Sequence, residues 1–172
     1  MIQKILWLVY GYILVFLTGG TLLMTLFVAP SLFAHLDPAR AGQAVGALFP
    51  GYFHLLFTGA MVEAVLLAAF SKLSSKPVSG LLLWGWVAGL GLSALLALVL
   101  GPHALELKRL RDQLPGDPVR AAAFDAAHRE TFLVNLALLI GLLAATLSLL
   151  SRSASSPVPR RSPGETRPEN PA

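Results

Sequence analysis

The sequence predicts an all-α polytopic membrane protein, a four-transmembrane-helix bundle with short interfacial helices. Three observations carry that prediction. Hydrophobic residues make up 55% of the 172 positions and charged residues only 13%, and mean hydropathy is +0.69, a balance far from that of water-soluble domains. The apolar residues are gathered into four stretches, about 5–29, 49–70, 78–100 and 131–150, each near the roughly 20 residues that a helix needs to cross about 30 Å of hydrocarbon. Charged residues fall between these stretches rather than inside them, with Glu63 as the exception.

The first crossing, LVYGYILVFLTGGTLLMTLFVAP, is longer than the apolar core of a signal peptide and ends in FVAPSLFAHL, so it is expected to stay in the membrane. Gly11, Gly19, Gly20, Thr21 and Thr25 predict a small, hydroxyl-bearing surface for close helix approach, and Tyr10 and Tyr12 are expected as interfacial anchors. Pro30 should end or bend the helix, because proline lacks an amide hydrogen and crowds the preceding turn. Asp37–Pro38 reads as a cap and first-turn pair opening a short interfacial helix over 38–48, and Pro50–Gly51 as the turn into the second crossing. That crossing carries Glu63 near mid-span, costly as an isolated carboxylate, with Gly59 one turn earlier available for close packing.

The connector SKLSSKPVSG leads to the third crossing, where Trp84 and Trp86 suit an interfacial belt and Gly85, Gly89, Gly91 and Ser93 predict a close-packed side. Gly101–Pro102 should end or kink it. Beyond lies the polar island 101–135, GPHALELKRLRDQLPGDPVRAAAFDAAHRETFLVN, whose Lys108, Arg109 and Arg111 are expected to meet water or headgroups. Asp117–Pro118 repeats the cap logic of Asp37–Pro38, opening one continuous helix to about residue 150, roughly 50 Å long. Ala121, Phe124, His128, Thr131 and Asn135 fall on one stripe of it, and Asn135 should face the bundle. These crossings define a 1–150 domain. The tail 151–172, SRSASSPVPRRSPGETRPENPA, rich in proline and serine and basic, is expected to be disordered.

The calculated pI of 9.9 does not point to nucleic acid, because the positive charge flanks the membrane stretches. Lys4, Lys72, Lys76, Arg152, Arg160, Arg161 and Arg167 lie on one side and Arg40, Lys108, Arg109, Arg111, Arg120 and Arg129 on the other. The raw count barely discriminates, but the lysines of the short middle connector have no acidic neighbours, and the island's bases alternate with acids. Both termini are therefore expected in the cytoplasm, at a bacterial inner membrane. The absence of cysteine excludes disulfides, thiolate ligands and thiol nucleophiles. No GxSxG elbow or nucleotide loop is present.

The candidate functional patch comprises His54, Glu63, Arg111, His128, Thr131 and Asn135. Spacing and topology place His35, His54, His103 and His128 toward one membrane side, so a transition metal or haem is a candidate cofactor, with His54 and His128 as its ligands and His35 and His103 as weaker ones. No HExxH or paired-histidine motif supports it. Membrane lipids are the expected partners, with a homo-oligomer or another membrane protein as a further one.

Three blocks, FVAPSLFAHLDPARAGQAVGALFPGYF at 27–53, GPHALELKRLRD at 101–112 and FDAAHRETFLVNLALLIGL at 124–143, resemble the TMEM205-like, or DUF4149, family of small four-helix membrane proteins, over about residues 5–150. The resemblance implies the same four-helix architecture and carries over Pro30, Phe33, Ala41, Gly42, Pro50, Gly101, Pro102, Arg111, His128 and Asn135, with Thr131 where serine is common. The family's activity is undefined; an association of a eukaryotic relative with platinum-drug resistance implies metal or drug handling. The expected function is non-enzymatic membrane binding, assembly or small-solute handling; the alternative is a histidine-dependent metal or haem protein acting in metal tolerance or redox chemistry.

Overall fold

The computed structural model describes residues 1–73 and 80–154. The connector beyond Leu73, with Lys76, and the tail from residue 155, with Arg160, Arg161 and Arg167, lie outside the described residues. Among the described residues every regular element is helical: α1 (Ile2–Leu22), α2 (Ala29–His35), α3 (Pro38–Leu73), α4 (Gly80–Leu95), α5 (Gly101–Gln113) and α6 (Pro118–Ala154). Two π-helical segments, Leu23–Val28 and Leu96–Leu100, join α1 to α2 and α4 to α5. The result is four continuous rods, each long and apolar enough to cross a membrane. The protein is a four-helix, multi-pass membrane protein.

The prolines do not break these rods as expected. Upstream of both Pro30 and Pro102 the backbone widens into a π turn, in which the Ala29 amide donates to the Met24 carbonyl and the Gly101 amide to the Leu96 carbonyl. Spacing donor and acceptor by five residues absorbs the missing amide and the clash that proline would impose on a regular α turn. Pro50 lies inside α3, so 38–48 is the first part of one continuous helix rather than a separate short helix. α3 continues to Leu73, and α6 runs past residue 150 to Ala154.

The two long helices α3 and α6 begin alike. Oδ1 of Asp37 accepts the Arg40 amide at 3.1 Å, and Oδ1 of Asp117 accepts the Val119 amide at 2.9 Å, which satisfies first-turn donors. In each case Oδ2 meets the Nε of an arginine three residues on, at 3.3 Å. Arg120 also donates to the Leu110 carbonyl at 2.8 Å, tying the start of α6 to α5. The turn between them needs a left-handed residue, and Gly116 supplies it at φ 98°.

The rods form a ring. α1 packs against α3 and α6, α4 packs against the same two, and the backbones of the diagonal pairs stay apart. At the centre Leu17, Tyr52, Phe53, Leu56, Leu96, Ala97 and Leu138 make a buried cluster. Gly59 allows α3 to approach α1: a Cβ there would stand 2.7 Å from Leu17 Cδ2. Gly19, Gly20, Gly85, Gly89 and Gly91, expected to pack closely, face no neighbour within 4 Å of such a Cβ. Large side chains such as Phe16, Phe27, Val65, Trp84 and Ile140 are exposed on the outer surface, where lipid rather than water is the compatible solvent. Tyr12 is among them, but Tyr10 is buried and is not an interfacial anchor. Gln3 Nε2 donates to the Leu73 carbonyl, and Trp7 and Phe70 lie with ring centroids 5.4 Å apart, so the start of the first rod and the end of the second share one end of the bundle.

Candidate functional site

Among the described residues, one cavity lies on each side of the central cluster. The larger encloses about 530 Å³ at the end away from the N-terminus and is walled by all four rods. Its interior is mainly apolar and aromatic, with Phe33, Phe49, Phe53, Phe124 and Phe132. The stripe expected on α6 lines it: Phe124, His128, Thr131 and Asn135 all face this space, and Arg111 joins them from α5.

Asn135 is 3% exposed and makes two cross-helix bonds. Tyr52 donates its hydroxyl to Asn135 Oδ1 at 2.9 Å, across the α3/α6 diagonal, and Asn135 Nδ2 donates to Thr25 Oγ1 at 3.0 Å. One amide therefore links three rods at the depth where unsatisfied polar groups are costly. Thr131 donates to the Ala127 carbonyl of its own helix at 2.8 Å. Its oxygen keeps acceptor capacity on the cavity wall.

The cationic part of the wall comes from α5, beyond the apolar stretch of the third rod. Lys108 lays its stem over Gly42 and Gly46 of α3, and its side chain is only 14% exposed. It is thus a wall residue rather than a freely solvated charge, with apolar carbons covered and the ammonium reaching outward. That ammonium meets Asp112 Oδ2 at 2.6 Å, while Arg111 Nη2 meets Oδ1 of the same carboxylate at 3.0 Å. The Arg111 guanidinium carbon also lies 4.2 Å from the Phe124 ring centroid, a cation–π contact. His128 stacks on Phe124 with centroids 5.7 Å apart. Among the described residues no carboxylate lines the cavity, and its two lining cations, Lys108 and Arg111, share Asp112 as ion-pair partner.

Of the six sequence candidates the structure brings four together here: Arg111, His128, Thr131 and Asn135. Glu63 lines the second cavity instead. His54 is exposed and bonds through Nδ1 to the Pro50 carbonyl at 2.7 Å, as His35 does to Ser31 at 2.9 Å. His103 and His128 are also exposed. Among the described residues no group of three or more His, Cys, Asp or Glu side chains could hold a metal ion, so the metal or haem reading gains no ligand set. Sequence reasoning gave Thr25 as a hydroxyl on a helix-packing surface, without its partner, and missed Tyr52 and the wall position of Lys108. The threonines at 18, 21 and 25 recur in steps of three and four, a signal of an inward polar face on the first rod; Tyr52 and Lys108 gave no comparable sign.

The family profile described as a domain of unknown function, DUF4149, matches residues 3–113. The chain belongs to the DUF4149 family. The match takes in the first three rods and α5, so both cavity-lining cations of this DUF4149 protein fall within it and the α6 stripe follows it. No curated protein matches the chain, and no solved structure matches it. Of the ten positions carried over by the resemblance, all but Ala41 and Pro102 line the larger cavity.

Proposed function

We propose that this DUF4149 protein is a non-enzymatic, membrane-embedded binding protein that holds a small amphipathic anion, a hydrocarbon body carrying a carboxylate or phosphate head, in the larger cavity. The observation that supports this reading is the pairing of an aromatic apolar chamber with Lys108 and Arg111, which share the single carboxylate of Asp112. A guanidinium presents a fork of N–H donors suited to carboxylate or phosphate, and held between Asp112 and the Phe124 face it is positioned before the ligand arrives. The chamber offers the body an apolar wall, and its volume lies within the range of small-molecule sites. Thr131 and Asn135 mark the polar end deep in the bundle.

The same reading sets both termini in the cytoplasm of a bacterial inner membrane and turns the cavity toward the opposite face, in line with Lys4 and Lys72 at the shared end of the first two rods. It needs no second subunit, since one chain supplies every wall.

Calorimetric titration of the purified protein in lipid nanodiscs with decanoate, decyl phosphate and decanol tests it. Saturable binding of the anions, weakened roughly tenfold or more by Arg111→Gln as expected for loss of a charge-assisted hydrogen bond, is the expected result. Equal binding of decanol, or anion binding indifferent to Arg111→Gln, would overturn it.

A further inference from the structure

The smaller cavity encloses about 410 Å³ in the half of the bundle nearer the N-terminus and shares no lining residue with the larger one. All four rods wall it. Leu17, Leu56 and Leu138 close it toward the central cluster. The third and fourth rods present small residues, among them Gly85, Gly89, Ala137 and Gly141. A Cβ on any of those three glycines would meet nothing within 4 Å, so no neighbour fills the space they leave. Gly85, Ala137 and Gly141 are exposed, which opens the cavity sideways, between these two rods, toward the hydrocarbon.

Small residues alone would mean only loose packing. Glu63 changes the reading. Its side chain stands in this wall, the residue is 5% exposed, and its Oε1 is buried with no hydrogen-bond partner. An orphaned buried acceptor is costly and rare in a native protein. The hydroxyls of the lining do not relieve it: Ser93 donates to the Leu90 carbonyl at 3.0 Å, Ser148 to the Ala144 carbonyl at 2.7 Å, and Tyr10, whose phenol lies within electrostatic range of Glu63, makes no hydrogen bond to Oε1. The site thus presents an acceptor of negative or potentially negative charge inside an apolar chamber reached from lipid.

We propose that this cavity binds a lipophilic primary amine, with its ammonium on Glu63 and its hydrocarbon body among Leu17, Leu56 and Leu138. The wall selects that class. An ammonium supplies the donor that Oε1 lacks and a charge that pairs strongly with a carboxylate in a medium of low dielectric. A hard metal ion would need several oxygen ligands, which a single carboxylate does not provide. A polyol would leave most of its hydroxyls against leucine and glycine. A membrane-soluble amine meets every wall with its matching part.

The test is a titration of the full chain in phosphatidylcholine nanodiscs with 4-phenylbutylamine, and with 4-phenyl-1-butanol as its uncharged analogue. Binding is read by heat and by tryptophan fluorescence, since Trp86 lines the cavity. The expected result is saturable one-to-one binding of the amine, weakened roughly tenfold or more in Glu63→Gln as for loss of a charge-assisted hydrogen bond, with the alcohol binding weakly and alike to both forms. A second variant, Gly89→Phe, keeps Glu63 and puts a ring into the space the glycine leaves; it is expected to abolish amine binding, which keeps the test decisive if Glu63→Gln does not fold. Amine binding no greater than to empty nanodiscs, or unchanged in either variant, would overturn the proposal. Because the two cavities share no residue and take ligands of opposite charge, either site can fail without the other.

Discussion

Asn135 carries more of the interior than any other single polar side chain. Its two bonds join α6 to Tyr52 of α3 and to Thr25 of the first rod, and replacing it removes the one side chain that ties all three rods together. Asn135→Ala is expected to lower stability by about 1–2 kcal/mol, read as a drop in the unfolding temperature in mild detergent; Thr146→Ala, which removes one half of the 2.9 Å Thr18–Thr146 pair, should cost less, because the Thr18 hydroxyl keeps the Leu14 carbonyl at 2.8 Å. An unchanged melting point for Asn135→Ala would contradict the central role given to it. The inward direction of Asn135 was legible in the sequence, since an amide in a lipid-facing position is expensive. Its partners were not. The threonines at 18, 21 and 25 mark an inward face of the first rod, but Tyr52 carries no such mark, and only the ring arrangement of the helices brings Tyr52 and Thr25 to Asn135. Lys108 illustrates the opposite case: a lysine after an apolar stretch reads as solvated, and only the paired glycines at 42 and 46 show that its stem has a groove to lie in.

At the scale of elements, Pro30 and Pro102 were read as ends or bends, and the structure shows the rods continuing through a π turn before each. A proline perturbs only the turn before it, and a π turn placed there keeps the rod continuous with one amide-to-carbonyl bond reset by a residue. The cost reappears at Gly101. A Cβ on Gly101 would stand 2.7 Å from the Leu96 carbonyl oxygen, drawn close by the π turn, and 3.0 Å from the Phe53 ring. Gly101→Ala is therefore expected to destabilise by about 1–3 kcal/mol, as overpacking does. Gly19→Ala, with nothing within 4 Å, should be neutral or raise stability by up to about 1 kcal/mol through reduced freedom of the unfolded chain. Parallel thermal denaturation of the two variants checks the pair, and equal effects would count against the π-turn account. The Asp–Pro starts of α3 and α6 were fully legible, because a cap is local: Asp117→Ala should cost about 1 kcal/mol, measured in the same assay.

For the whole molecule, the number of crossings followed from length and hydropathy alone, because the bilayer imposes one length on every span. The ring order of the rods and the two cavities could not follow from those quantities. Both cavities depend on where small residues on one rod face small or aromatic residues on another, and glycines that the sequence marks for close packing turn out to leave space. Four of the six candidate residues met in one chamber because they share the α6 stripe and its α5 neighbour, whereas Glu63, one rod away and nearer the other end, opened a second chamber. The most direct test of the binding account is photo-crosslinking with a decanoate analogue that carries a diazirine on its alkyl chain, followed by mass-spectrometric mapping of the labelled residues. Label is expected at the larger cavity's wall, on the segments around Phe49, Phe53 and Phe124, competed by decanoate and lost in Arg111→Gln; label confined to outward residues such as Phe16 and Val65, unaffected by that substitution, would overturn the binding proposal.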